Sequence, residues 1–133
     1  MANIGTESIR NLVIVAHGGA GKTSLAEAML FDAGSTTRLG RIEDGTTTTD
    51  FEPEEIERQM SISSAIAYLD WKENRVNIID TPGFINFLEE SKASMRAADG
   101  ALIVLSATEG MRGETERLWR NAEALGMPGL AFI

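Results

Sequence analysis

The residues from Ala16 to Ser24 have the types and spacing of a loop that binds phosphate. Small residues let consecutive backbone N–H groups surround an anion, and a helix that begins there adds the positive end of its dipole. Lys22 would supply a mobile positive charge, and Thr23 a hydroxyl ligand for Mg²⁺. The alternative is a glycine turn that connects two elements and leaves Lys22 in solvent. The predicted binding loop consists of Ala16, His17, Gly18, Gly19, Ala20, Gly21, Lys22, Thr23 and Ser24.

A second group with phosphate and metal chemistry runs from Asp80 through Thr81, Pro82 and Gly83 to Phe84. Asp80 would hold Mg²⁺ through a water molecule, and the N–H of Gly83 would contact the terminal phosphate of a nucleotide. Glycine allows the backbone this close approach because it has no Cβ. The alternative is a helix N-terminus, capped by Asp80 or Thr81 with Pro82 in the first turn.

Magnesium in proteins prefers several hard oxygen ligands. Thr23 and Asp80 supply two of them, and Ser61 is the third candidate. Ser61 has an equally simple alternative role as the polar residue before a strand. The predicted metal site therefore consists of Thr23, Ser61 and Asp80.

Buried strands and helices have to position these residues. A nearly continuous apolar run predicts a central parallel strand, and a short polar turn at 72–74 predicts an antiparallel hairpin between two further strands. The order of elements predicts an α/β fold, a mostly parallel sheet with one antiparallel edge hairpin, and helices on both sides. Both motifs then lie at the carboxyl edge of the sheet, where ligands bind in such folds. The predicted strands are 9–16, 61–71, 75–80, 101–107 and 130–133, and the predicted helices are 22–33, 84–98 and 112–125.

The segment 35–60 differs from its surroundings. It is rich in threonine and acidic residues and has few periodic apolar residues. Loops of this length inside compact domains are usually functional or mobile. We expect a mobile switch segment that becomes ordered around a ligand; the alternative is a disordered surface insertion.

Composition narrows the classes of function. The chain has 133 residues, a net charge of −8, no cysteine and one histidine. These numbers favour one domain and exclude a disulfide framework, a thiolate site and a multi-histidine metal site. The acidic charge argues against direct binding of nucleic acid by this chain. The polar start of the chain and the lack of an apolar run near 20 residues predict a cytoplasmic protein without membrane contact.

Four stretches together resemble the translational GTPases. AHGGAGKTSL at 16–25 is similar to the AHIDAGKTT loop of that family, and DFEPEEIERQMS at 50–61 is similar to its first switch, DWMEQERERGIT. DTPGF at 80–84 resembles the second switch, DTPGH, and the stretch 95–133 follows the next strand, helix and strand. The resemblance covers the chain from Ile9 onward and is closest to elongation factor G or a paralogue of it. The resemblance also explains why alanine, at position 16, is the first residue of the loop, since the family's loop begins with alanine too.

The resemblance implies that the ligands are GTP or GDP with Mg²⁺. It also implies that the full-length protein contacts the ribosome and hydrolyses GTP there. Gly19 to Ser24 would surround the phosphates. Thr23 and Ser61 would bind Mg²⁺ directly, Asp80 would do so through water, and Gly83 would meet the γ-phosphate. A phosphate-loop kinase or ATPase is the less supported class, because no base for a second substrate and no lid is evident.

Three departures from the family bear on catalysis. Phe84 replaces the histidine that positions the attacking water, and phenylalanine cannot hydrogen-bond to water or carry a proton. In the first switch Ser61 replaces threonine and Gln59-Met60 replaces Gly-Ile, while Gly19 replaces an aspartate of the loop. The alternative function is therefore a nucleotide-gated binding module with little or no hydrolysis.

The end of the chain at Ile133 lies within an apolar strand. We expect residues 1–133 to be the N-terminal portion of a single G domain whose last strand, helices and guanine-reading Asn-Lys-x-Asp motif follow. Such a portion would expose apolar surface and an open sheet edge. Marginal stability or self-association is the expected consequence.

Overall fold

The structure, a computed structural model, describes residues 4–133; residues 1–3 of the polar N-terminal stretch lie outside it. Five strands, four α-helices and two short 3₁₀ turns, at Thr6–Ser8 and Ile85–Phe87, follow one another within this range. The strands are β1 (Ile9–Val15), β2 (Ala65–Trp71), β3 (Asn74–Asp80), β4 (Gly100–Val104) and β5 (Gly129–Phe132). The helices are α1 (Lys22–Asp32), α2 (Pro53–Arg58), α3 (Leu88–Met95) and α4 (Gly113–Ala124).

The five strands form one sheet in the order β2-β3-β1-β4-β5. β1 pairs in parallel with β3 and β4, β4 pairs in parallel with β5, and β2 pairs antiparallel with β3. The tight turn between β2 and β3 has positive φ angles of 46° at Lys72 and 66° at Glu73. The predicted α/β class, with a mostly parallel sheet and one antiparallel edge hairpin, is confirmed.

Each face of the sheet has its own apolar cluster. On one face, Ala26 and Leu30 of α1 pack with Ile14 and Ile78 of the sheet. On the other face, α3 and α4 pack against side chains of β1, β3 and β4 that point to that side. These two layers exclude water from β1 on both sides, since Val13, Ile14 and Val15 are fully buried. A strand buried in this way holds the loop that follows it in a fixed position.

Three predicted elements differ from the structure by more than one residue at an end, and the others by a single residue at an end or at both. The second strand begins at Ala65 instead of 61, because the N–H groups of Ile62 and Ser63 donate to the carboxylate of Glu55 and not to a sheet partner. The helix predicted for 84–98 begins with a 3₁₀ turn at Ile85–Phe87, and α3 covers only Leu88–Met95. The fourth strand ends at Val104 rather than 107.

The segment 35–60 contains a short helix that its composition did not predict. Pro53 begins α2, and the N–H of Glu52 donates to Glu55 Oε2 across the first turn at 3.3 Å. Proline is well placed at the start of a helix, since it needs no intrahelical hydrogen bond there. The mobility of this segment stays a prediction.

Both edges of the sheet carry exposed apolar side chains within the described residues. Leu130 and Ile133 at the β5 edge, and Ile66 at the β2 edge, are more than two-thirds exposed. Self-association through an open edge stays a prediction. No helix within residues 4–133 has the length and apolar character of a membrane span.

Candidate functional site

The loop between β1 and α1 is shaped by two glycines. Gly19 and Gly21 have φ angles of +82° and +96°, a region that residues with a Cβ rarely adopt. Gly21 is also the residue before the first turn of α1, and its carbonyl accepts the N–H of Leu25 at 2.9 Å. The loop therefore delivers the chain from a buried strand to the N-terminus of a helix, as an anion-binding loop requires.

Lys22 lies inside this loop and not in solvent. Its side chain is buried, and Nζ donates to the backbone carbonyl of His17 at 3.2 Å. Burial lowers the pKa of Lys22, while the charges of Asp80 and Asp50 act in the opposite direction. The solvated alternative for Lys22 is therefore excluded, and an anion above the loop would meet an ammonium group that is already in position.

Gly83 and Phe84 close over the loop from the end of β3. A Cβ built on Gly83 would lie 2.7 Å from the backbone nitrogen of Gly18 and would also collide with Nζ of Lys22. A Cβ on Gly18 would lie 2.9 Å from the ring of Phe84. Glycines at both positions thus bring the two motifs into direct contact, with the ring of Phe84 stacked against the loop.

A cluster of oxygen atoms lies beneath this contact. Oδ2 of Asp80 accepts hydrogen bonds from the hydroxyls of Thr23 at 2.7 Å and Thr49 at 3.0 Å. The hydroxyl of Ser61 donates to Oδ1 of Asp50 at 2.7 Å and lies 3.3 Å from the hydroxyl of Thr23. Three hydroxyls and two carboxylates from α1, the switch segment and β3 therefore converge.

This cluster fits a hard divalent cation. Oδ1 of Asp80 and Oδ2 of Asp50 are buried and have no hydrogen-bond partner within the described residues. Burial is the largest cause of the raised pKa of both carboxyls, and that of Asp80 rises to about 6. Mg²⁺ is commonly held by one or two carboxylates together with hydroxyls, water and phosphate oxygens. The free carboxylate oxygens are thus suitable partners for Mg²⁺ or its bound water.

We expect the stability of the magnesium-free protein to fall as pH rises from 5 to 7. The folded Asp80 binds its proton more tightly than the unfolded chain does, with pKa values of about 6 and 3.8. Its favourable contribution to folding is therefore lost as pH rises through this interval, by about 1 kcal/mol. The raised pKa of Asp50 acts with the same sign. Urea unfolding in EDTA at the two pH values measures the change.

Asp80→Asn is the control for this pH dependence, since the amide does not titrate. A variant that lost as much stability between pH 5 and pH 7 as the unchanged protein would contradict the assignment to Asp80.

One cavity of about 350 Å³ joins the loop, the switch segment and the residues after β3. Most of the predicted site residues line it: Gly18, Gly19, Gly21, Lys22, Thr23, Ser24, Ser61, Gly83 and Phe84. Five residues of the switch segment complete the lining: Ile42, Glu43, Asp50, Gln59 and Met60. Their contact with a nucleotide stays a prediction.

The other predicted site residues lie behind the cavity. Ala16 is buried in the apolar core, and Ala20 packs at its border. The hydroxyl of Thr81 donates to the carbonyl of Ile14 at 2.7 Å, which joins β3 to β1. The carbonyl of Pro82 accepts the hydroxyl of Ser91 at 2.7 Å. These residues position the site. Asp80 does not line the cavity itself, but its carboxylate accepts hydrogen bonds from Thr23, which does, and from the buried Thr49.

His17 points its side chain away from the cavity. Nδ1 lies 3.0 Å from the hydroxyl of Thr115, and Nε2 lies 3.1 Å from Oε2 of Glu109. The same hydroxyl accepts the backbone N–H of His17 at 3.0 Å. His17 therefore contributes its backbone carbonyl to Lys22, while its ring connects the loop to α4 and the segment before it.

Thr49 and Asp50 in the oxygen cluster, and Glu27 on α1, are buried polar residues that were not predicted for the site from the sequence. Asp50 is the first residue of the stretch that resembles the first switch, which was the one available signal. Gln59, which ends α2, has a left-handed backbone conformation with a φ of +53°. The first switch of the family has glycine at this position. A side chain in this conformation costs about 1 kcal/mol.

The sequence model of the elongation factor Tu GTP binding domain matches residues 7–133. Ribosome-releasing factor 2, mitochondrial, of Debaryomyces hansenii is 44% identical over 124 residues, which are 93% of this chain and 14% of that protein. Elongation factor G of Petrotoga mobilis is 44% identical over 127 residues, 96% of this chain and 18% of that protein.

A crystal structure from Thermus thermophilus shares the fold with a TM-score of 0.89 and 41% identity, over 93% of this chain and 19% of that one. The chain thus spans less than a fifth of the length of these proteins. Its resemblance to the translational GTPases of the elongation factor G type is confirmed.

Proposed function

Because this chain belongs to the family of the elongation factor Tu GTP binding domain, we propose that it binds GTP and GDP as part of a translation factor of the elongation factor G type. The observation that carries the proposal is the buried side chain of Lys22 beside Asp80 and Asp50, whose charges act on its pKa. One oxygen of each of these carboxylates has no hydrogen-bond partner within residues 4–133. Such an arrangement of opposite charges suits a phosphate chain with its divalent cation.

Each residue of the site has a role in this proposal. The backbone N–H groups from Gly19 to Ser24 and the ammonium of Lys22 bind phosphate oxygens. Thr23 and Ser61 bind Mg²⁺ through their hydroxyls, and Asp80 binds it through water. The N–H of Gly83 contacts the γ-phosphate. When bound, Mg²⁺ neutralises charge on the phosphates.

The activity of the whole protein is part of the proposal, since the chain spans only 14% to 19% of its relatives. We propose that residues 1–133 form the N-terminal portion of a single G domain. The full-length protein would hydrolyse GTP on the ribosome in the cytoplasm. This acidic portion would not bind nucleic acid or membrane by itself.

Titration with fluorescent GTP, GDP and ATP, each with Mg²⁺ and with EDTA, tests the proposal. We expect Mg²⁺ to strengthen binding of both guanine nucleotides. The full-length protein is expected to prefer GTP to ATP, because the motif that reads guanine would follow residue 133. Absence of binding would overturn the proposal, and equal affinity for ATP and GTP in the full-length protein would favour a kinase or ATPase.

A second candidate function is favoured by Phe84. Its ring packs against Gly18 at the mouth of the cavity and is 44% exposed. The side chain has no polar atom with which to orient a water molecule. The protein would then be a nucleotide-gated binding module, which changes conformation with the bound nucleotide but hydrolyses GTP very slowly.

Phe84→His is expected to raise phosphate release stimulated by ribosomes by about 100-fold, the lower end of what a positioned acid or base contributes. The measurement is GTP turnover by the full-length protein with and without ribosomes. Phe31→His is the matched control, since Phe31 on α1 is likewise 44% exposed and does not line the cavity. Equal and rapid turnover by the unchanged protein and by the Phe84→His variant would exclude the binding module.

A further inference from the structure

Glu27 is a buried carboxylate on α1, one helical turn after Thr23. Its side chain is 1% exposed, and it forms no ion pair within the described residues. Both of its oxygens accept backbone hydrogen bonds from the switch segment. Oε2 accepts the N–H of Gly40 at 3.1 Å, and Oε1 accepts the N–H of Thr48.

The chain between these two contacts forms a closed loop. The N–H of Thr46 donates to the carbonyl of Arg41 at 3.1 Å, and the N–H of Arg41 donates to the hydroxyl of Thr46 at 3.0 Å. A Cβ on Gly40 would collide with Oε2 of Glu27 and would lie 2.7 Å from the carbonyl oxygen of Thr46. Glycine at this position therefore allows both ends of the loop to reach one carboxylate.

The loop ends next to the oxygen cluster. Thr49, which directly follows Thr48, donates to Oδ2 of Asp80, and Asp50 accepts the hydroxyl of Ser61. Thr49 is 2% exposed, so it has little room to move independently of Thr48. A displacement at Thr48 would therefore alter two of the contacts that arrange the carboxylates.

We propose that Glu27 is a positioning residue that clasps residues 40–48 to α1 and thereby holds Thr49 and Asp50 in place for Mg²⁺. The inference rests on the proposed function for its cation. Thr23 and Glu27 lie on the same helix, so α1 supplies both a hydroxyl of the cluster and the anchor of the segment that completes it. Movement of residues 40–48 and binding of the cation are then coupled.

Glu27→Gln keeps the shape of the side chain but replaces one acceptor oxygen with an amide donor. One of the two backbone N–H groups would then face another N–H, so at least one contact is lost. Hydrogen bonds to a charged group contribute about 1.5–3 kcal/mol, which corresponds to roughly 10- to 150-fold in an equilibrium. Gly40→Ala disturbs the same contact from the opposite side and provides a second variant.

Hydrogen exchange of the whole chain, without nucleotide, tests the clasp directly. Both variants are expected to speed exchange at the amides of residues 40 and 48 by 10-fold or more. Glu116→Gln and Gly113→Ala are the controls, since Glu116 is an exposed residue of α4 and a Cβ on Gly113 meets open space. Unchanged exchange at residues 40 and 48 in Glu27→Gln overturns the clasp, whatever the nucleotide result.

Nucleotide titration then separates positioning from a merely structural role. Mg²⁺ increases the affinity for GDP in the proposed function. In Glu27→Gln this increase is expected to be about 10-fold smaller than in the unchanged protein, while the affinity for GDP in EDTA stays the same. Thr23→Val, which removes a proposed ligand, is the comparison for the full loss of this gain. The coupling is overturned if Glu27→Gln loses GDP affinity equally with and without Mg²⁺, or if Mg²⁺ raises its GDP affinity as much as it does in the unchanged protein. Failure of the unchanged protein to bind nucleotide counts against the proposed function, and the exchange result still judges the clasp.

Discussion

Replacing Lys22 by methionine is expected to weaken binding of GTP and GDP by about 100-fold. The ammonium is buried and bonded to the carbonyl of His17, so it occupies the loop before any anion arrives. Charge-assisted bonds to phosphate are among the strongest that a side chain makes, about 1.5–3 kcal/mol each. Methionine retains most of the volume of the side chain and removes the charge. Fluorescence titration with Mg²⁺ measures the affinity.

The substitution also acts on the oxygen cluster. The charge of Lys22 lowers the pKa of both Asp80 and Asp50, against the effect of burial. Its removal should therefore raise both pKa values further and weaken Mg²⁺ binding near pH 6 more than at pH 8. A loss of affinity that is independent of pH over this range would contradict this second effect.

Lys92→Met is the matched control for Lys22→Met. Lys92 lies on α3 and pairs with the exposed Glu89 at 2.7 Å, and it does not line the cavity. Exposed pairs of this kind contribute little to stability. Nucleotide affinity should stay within twofold of that of the unchanged protein. A loss of affinity in Lys92→Met as large as in Lys22→Met would show that the protein responds to net charge and not to the loop.

Gly83→Ala is expected to reduce affinity for GTP by at least 10-fold and to lower the free energy of unfolding by about 1–3 kcal/mol, the usual cost of overpacking. The new Cβ would lie 2.7 Å from the backbone nitrogen of Gly18 and the carbonyl carbon of His17. Backbone atoms cannot rotate aside, so the second switch has to move away from the loop. Affinity for GDP should change less, since the proposed contact of Gly83 is with the γ-phosphate.

The ratio of GTP to GDP affinity is the measurement that tests the role of Gly83. Gly113→Ala provides the control, because Gly113 begins α4 with no atom within 4 Å of its built Cβ. Alanine in a helix is favoured over glycine by up to about 1 kcal/mol, so this variant should be as stable as the unchanged protein or more so. Equal losses of GTP and GDP affinity in Gly83→Ala would argue against a γ-phosphate contact.

The glycine-rich turn after β1 and the chain order of strands and helices could be predicted because their signals are local. An apolar run such as that of β1 indicates a strand buried on both faces, and glycines before Lys22 indicate the turn. The helical faces were harder to predict. Leu25 and Met29 are only partly buried, while Ala26 and Leu30 form the buried face of α1. A helix of mostly small residues has a weak apolar periodicity, and its orientation is then decided by the sheet.

In the switch segment, local sequence patterns do not predict which polar side chains are buried. Residues 35–60 contain many acidic side chains, and no local pattern distinguishes the buried Asp50 and Glu55 from their exposed neighbours. Asp50 is buried because Ser61 reaches it, and Glu55 because the N–H groups of Ile62 and Ser63 need an acceptor. Because these two N–H groups bond to Glu55 and not to a neighbouring strand, Ser61 lies outside β2, although a strand was predicted from residue 61.

The α/β class, the glycine turn between Ala16 and Ser24 and its place beside Gly83 at the carboxyl edge of the sheet could be predicted from the sequence, because apolar runs, turn residues and the chain order of the elements are local signals. The partners of buried side chains depend on contacts between distant parts of the chain: the ring of His17 turns to Thr115, 98 residues along the chain, and Glu27 binds Gly40 and Thr48. A buried polar group takes its partner from whatever element the fold brings beside it, since leaving it unpaired would cost several times the free energy of one hydrogen bond.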